Sequence, residues 1–110
     1  NTYEISPDML RQMQAAAKRL KGARIEDLQT GQQWEPSDET LVFGGRGKIP
    51  IQGMSGMLSA AEVRWNGKKH VLNKLGWSTV LVNNQKTKKA MLEDGDRLKI
   101  GSSEFEYILA

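Results

Sequence analysis

From Ala23 to the end of the chain, short strand-like runs alternate with turn residues. Arg24 to Leu28 and Gln32 to Glu35 flank Thr30-Gly31, and Thr40 to Phe43 stops at Gly44-Gly45. Ala61 to Trp65 and Lys68 to Leu72 bracket Asn66-Gly67, and Thr79 to Val82 leads into a polar loop from Asn83 to Lys89. Arg97 to Ile100 and Glu104 to Leu109 form a closing pair joined at Gly101-Ser102-Ser103. Many short strands with dense turn signals predict an all-β fold over residues 23–110, an antiparallel β-sandwich or a barrel.

The Asn66-Gly67 dipeptide predicts a two-residue hairpin with a primed turn. That register sets Trp65 opposite Lys68, Val63 opposite His70 and Ala61 opposite Leu72, all on one mostly apolar face. Glu62, Arg64, Lys69 and Val71 fall on the wetter face, with Arg64 facing Lys69.

Residues 1–22 read differently, as a short amphipathic N-terminal helix or connector. Ser6 can cap the exposed amides, Pro7 suits the first helical position, and Asp8 complements the dipole. Leu10, Met13, Ala17 and Leu20 recur on one stripe, suited to packing on the domain. Lys18, Arg19 and Lys21 crowd the last turn, and Gly22 can end it.

At 110 residues, with 38% hydrophobic and 26% charged residues, the chain suits one globular domain with its own core. It has no cysteine, which excludes disulfides and thiolate chemistry and fits a reducing, cytoplasmic setting. No apolar run is long enough to span a bilayer, so no membrane contact is expected from this domain itself. Because the chain opens on Asn1 and a strand-like run reaches Ala110, it is expected to be part of a larger protein. The net charge of +3 is small and Glu93, Asp94 and Asp96 lie near the basic residues, which argues against nucleic acid as a partner.

Little in the sequence suits catalysis. His70 is the only histidine, and its place on an apolar face suits a structural side chain. A serine triad would need it beside a strand-turn-helix elbow, which is absent. One imidazole without cysteine makes a poor transition-metal site, and Glu93-Asp94-Gly95-Asp96 offers acids that shape a turn. No enzyme activity, metal or cofactor is expected. Gly44-Gly45-Arg46-Gly47 precedes the strand-like Lys48-Ile49-Pro50-Ile51 and no helix, so it is not a nucleotide loop. It reads as a flexible glycine turn presenting one arginine, whose planar fork suits a phosphate or carboxylate.

The order of these pieces resembles a forkhead-associated (FHA) domain, a sandwich related to the SMAD-like fold. The resemblance is carried by Gly45-Arg46, Ser59 leading into the strand through Trp65, Leu75-Gly76, Val82-Asn83, and Leu92 with Asp94-Gly95-Asp96, Leu98, Ile100-Gly101 and Phe105. It implies a protein-interaction module that recognises phosphothreonine peptides with loops at one end. Arg46 matches the family's phosphate-gripping arginine, Ser59 the serine that donates to the phosphate, and Asn83 the asparagine that holds the peptide backbone. The sequence departs from the pattern at Glu62, where the family has a histidine that buttresses the loop. It departs again at Trp77-Ser78-Thr79-Val80, which stands in place of an Asn-Gly-Thr element; Ser78 or Thr79 can offer a hydroxyl there. Lys86, Lys88 and Lys89 form a basic rim or a solvated loop. The resemblance implies a protein or phosphopeptide partner. The departures leave a second reading: a degenerate member, similar to those in bacterial secretion machines, that binds an unphosphorylated partner or serves as an assembly element.

Overall fold

The computed structural model describes residues 6–12, 22–36, 39–52 and 58–109. Among these residues ten strands lie in two antiparallel sheets. They are β1 (Arg24–Asp27), β2 (Gln33–Trp34), β3 (Leu41–Gly44), β4 (Ser59–Trp65), β5 (His70–Lys74), β6 (Val80–Val82), β7 (Gln85–Lys86), β8 (Lys89–Met91), β9 (Arg97–Ile100) and β10 (Ser103–Ile108). The larger sheet runs β2-β1-β10-β9-β6-β7 and the smaller β3-β4-β5-β8.

Alternation along the strands decides how the layers meet. In β10, Ser103, Phe105 and Tyr107 are buried while the residues between them reach outward; Leu98 and Ile100 do the same in β9. These side chains meet Phe43, Val63 and Leu72 of the smaller sheet in one hydrophobic core. The Phe43 and Phe105 rings cross edge to face at 5.0 Å, and Trp34 closes on Phe105 at 6.4 Å.

The expected β4–β5 hairpin forms in a different register. Trp65 pairs with His70, Val63 with Leu72, and Ala61 with Lys74. The cause is the Asn66 side chain: its Oδ1 accepts from the amides of Lys68 and Lys69, both at 2.8 Å, and centres the turn on Gly67-Lys68. Positive φ is confined to Gly67 (+97°), whereas a type I′ turn needs it at both central residues. The shift is two residues, so the alternation is kept, and Ala61, Val63, His70 and Leu72 are buried on the core face as expected. Arg64 faces Val71 instead of Lys69; it pairs with Glu62 at 3.5 Å, and Lys69 pairs with Glu93 at 3.8 Å. His70 is buried as expected, 2.6 Å from the Tyr107 hydroxyl through Nδ1.

The expected polar loop from Asn83 to Lys89 is itself partly strand. Asn83 and Asn84, both with positive φ, make the two-residue turn between β6 and β7. After β7 the chain crosses to the smaller sheet as its edge strand, β8. There the Thr87 hydroxyl donates to the Lys89 carbonyl at 2.7 Å and accepts from the Lys89 amide at 3.2 Å.

Residues 7–12 are helical, and Ser6 caps them as expected: its Oγ accepts from the Met9 amide at 3.1 Å. Within this turn and a half Met9 and Leu10 are exposed. Met13, Ala17, Lys18, Arg19, Leu20 and Lys21 lie outside the described residues. Among the described residues no helix is long and apolar enough to cross a membrane.

Candidate functional site

The loop after β3 is a packed turn, not the flexible one expected. The Gly44 amide donates to the Ile49 carbonyl and the Gly47 amide to the Gly44 carbonyl, at 2.8 and 2.9 Å. Its glycines serve close approach. A Cβ on Gly47 would sit 2.1 Å from the Val42 carbonyl oxygen, and one on Gly45 would sit 2.8 Å from the Ser59 amide nitrogen and 2.9 Å from its hydroxyl. Gly45 (φ +59°) therefore lies directly against Ser59, and the next residue, Arg46, is turned out to solvent.

A second loop joins the same end. A Cβ on Gly76 would meet the Ser59 carbonyl oxygen at 2.6 Å, so the β5–β6 connection also rests on the start of β4. The Leu75 amide donates to the Ala60 carbonyl at 2.9 Å and anchors the loop's base. This loop carries half-buried Ser78 and exposed Thr79, whose carbonyl accepts from the Gly101 amide at 3.1 Å. Ser103 Oγ accepts from the Gln52 amide at 2.7 Å, clamping the β9–β10 turn to the segment after Ile51. The structure thus gathers the loops of Arg46, Ser59, Ser78 and Thr79 at one end of the sandwich.

Asn83 is not gathered with them. It follows β6, whereas Thr79 precedes it, so the two are separated by the strand's length, about 13 Å for four residues. Its polar groups are committed locally: Nδ2 donates to Asp96 Oδ1 at 2.9 Å, Oδ1 accepts from the Arg97 amide at 3.0 Å, and its own amide donates to the Arg97 carbonyl at 2.8 Å. The three expected residues Arg46, Ser59 and Asn83 therefore do not share a rim. The acidic turn beside Asn83 is structural: Asp96 Oδ2 accepts from the Glu93 amide at 2.8 Å and Asp94 Oδ1 from the Leu109 amide at 2.9 Å.

By contrast, neither Arg46 nor Ser59 has a side-chain hydrogen bond or ion pair among the described residues. Glu62 does not enter the loop end. It lies on the outer face of β4, paired with Arg64 and 3.4 Å from Asn73 Nδ2. Sequence reasoning missed Trp77, which stands 99% exposed in the β5–β6 loop that also carries exposed Leu75, while exposed Leu58 directly precedes Ser59. The one signal for it was the replacement of the family's Asn-Gly-Thr. A concavity of about 730 Å³ lies elsewhere, on the outer face of the smaller sheet between Glu62, Trp65, Val71 and Met91. Among the described residues no buried side-chain polar atom lacks a hydrogen-bond partner.

No family model and no curated protein sequence matches the chain. Solved structures do. An FHA domain from work on phosphothreonine-dependent FHA interactions is 22% identical over 80% of this chain and 96% of its own, with a TM-score of 0.68. The FHA domain of the CT664 protein from Chlamydia trachomatis is 19% identical over 78% and 95%, with a TM-score of 0.68. EmbR of Mycobacterium tuberculosis, in complex with a low-affinity phosphopeptide, is 17% identical over 99% of this chain and 33% of that one, with a TM-score of 0.73. With its two sheets, its strand order and the three loops at one end, the fold of this chain is that of the forkhead-associated domains.

Proposed function

We propose that this is a non-enzymatic interaction module that binds a phosphothreonine-containing segment of another protein at the loop end. In this reading the Arg46 guanidinium grips the phosphate and the Ser59 hydroxyl donates to it. Ser78 or Thr79 adds a second hydroxyl from the facing loop. The observation that carries it is the seating of Gly45 on Ser59, which brings the loop of Arg46 against that hydroxyl, neither side chain having a hydrogen bond or ion pair among the described residues. Several solved neighbours are phosphothreonine-dependent or hold phosphopeptides, which supports the same reading. The outward pairing of Glu62 with Arg64 removes the repulsion that an acid pointing into the site would exert.

The test is a titration with a degenerate phosphothreonine peptide library and its unphosphorylated twin. A hydrogen bond to a charged group is worth about 1.5–3 kcal/mol, so two such contacts give a preference of about 10² to 10⁴ for the phosphorylated peptides. Arg46→Ala and Ser59→Ala should each erase most of it. Equal binding of both libraries overturns the proposal.

The second reading, an unphosphorylated partner or an assembly contact, is favoured by Trp77. A fully exposed tryptophan, with exposed Leu75 in the same loop and exposed Leu58 just before Ser59, gives the loop end apolar surface that contributes burial without phosphate. Binding that survives Arg46→Ala and is lost in Trp77→Ala is its signature.

A further inference from the structure

Three lysines line one lateral side of the sandwich, and a fourth follows them in sequence. Lys74 ends β5, Lys86 ends β7, Lys88 lies in the crossing between the sheets, and Lys89 opens β8. The Lys74 amide donates to the Lys88 carbonyl at 2.8 Å, which fixes the two chains side by side. Lys74, Val80, Lys86, Thr87 and Lys88 line a cavity of about 280 Å³.

These charges are not neutralised from within. The sequence from Lys74 to Leu92 contains no aspartate or glutamate, and among the described residues none of the four lysines has an ion-pair partner. Elsewhere on the surface Lys48, Arg64, Lys69 and Arg97 each hold a carboxylate. Basic groups around an apolar floor at Val80 fit an acidic side chain that lays its methylenes on the floor and its carboxylate among the ammonium groups.

We propose that this side of the domain docks an acidic segment, rich in aspartate and glutamate, of a protein partner. A long polyanion fits less well. The basic run is bounded in sequence by Glu93, Asp94 and Asp96, so the positive stretch suits a short acidic segment better than a long phosphate backbone, and the net charge is only +3. The cavity opens at the base of the β5–β6 loop, since Lys74 precedes that loop and Val80 directly follows Thr79. One polypeptide can therefore reach both this cavity and the loop end, but the docking does not depend on phosphothreonine recognition.

The probe is hexaglutamate, titrated into the isotope-labelled domain at low ionic strength, with hexaglutamine and a single-stranded oligothymidylate of equal charge as comparators. Saturable amide shifts at Val80, Thr87 and Lys88 are expected with hexaglutamate only. They should weaken about tenfold in Lys74→Gln/Lys86→Gln/Lys88→Gln, taking each exposed pair as worth about twofold. The double variant Lys86→Gln/Lys88→Gln, which leaves half-buried Lys74 in place, should weaken them about fourfold and guards against misfolding. Arg46→Ala should leave them unchanged, which separates this site from the phosphate site. Shifts that are absent, that lie elsewhere, or that persist in the lysine variants overturn the proposal. So does loss of hexaglutamate binding in Arg46→Ala, and tighter oligothymidylate binding replaces the acidic segment with nucleic acid.

Discussion

Tyr107 and His70 meet inside the core, hydroxyl to Nδ1 at 2.6 Å, with the Trp65 ring 5.0 Å from the imidazole. Burial, then the nearby carboxylates of Asp94 and Asp96, push the phenol from 10.0 up to about 12. The folded protein thus keeps a proton that the unfolded chain releases. Stability from this group is whole below pH 10 and falls as pH climbs from 10 to 12, a loss of roughly 2–3 kcal/mol. Urea unfolding across that range should show the decline in the native protein. Tyr107→Phe should lower stability at neutral pH by about 1–3 kcal/mol, because the imidazole loses this bond in a buried setting, and should flatten the alkaline slope. A slope unchanged by the substitution would assign it to other groups. Gly45 allows a second test at the same scale. Gly45→Ala strains a positive φ and drives a methyl into Ser59. It should cost about 1–2 kcal/mol of stability and most of any phosphopeptide affinity, as read by thermal melting and titration.

Among the elements, the β6–β7 turn separates structure from binding most cleanly. Asn83→Ala removes two side-chain hydrogen bonds to the β8–β9 turn and β9, and should destabilise the domain by about 1–2 kcal/mol while leaving peptide affinity within twofold. Loss of affinity at unchanged stability would place Asn83 in the binding site after all. This turn also marks where the sequence stopped being legible. Strands β1, β9 and β10 were readable because alternating burial writes itself into alternating residue types. The alternation along β4 and β5 was readable too, although the register was not. Asn66 can place φ > 0 on itself or bond forward through its side chain, and composition does not decide between them. Arg46 and Ser59 were legible as a pair because each begins or follows a strand in the expected order. Asn83 has the expected residue type but lies at the other end of a three-residue strand. Resemblance supplied the residue; only the path of the chain supplies the end. The role of Gly47 was hidden for a similar reason, since its neighbour, Val42, is reached only once the loop folds back.

At the scale of the whole molecule, the two sheets divide the surface into regions of different chemistry. The loop end carries an uncommitted arginine, hydroxyls and a bare tryptophan; the opposite end carries acids spent on its turns; one lateral side carries three lysines. Recognition by this domain should accordingly weaken with added salt at the lysine side and at Arg46, while any contact made by Trp77 should hold. Isothermal titration of one partner at two ionic strengths, with Trp77→Ala alongside, resolves the shares. The Thr87 hydroxyl bears on the molecule's behaviour in crowded solution. By occupying the outward backbone groups of Lys89, it leaves the start of the β8 edge with little to offer a passing strand. Thr87→Val would uncover those groups, and sedimentation at rising concentration should then find pairs of molecules zipped edge to edge where the native protein stays single. A lone hydroxyl thereby decides how densely such domains can be placed side by side without fusing their sheets.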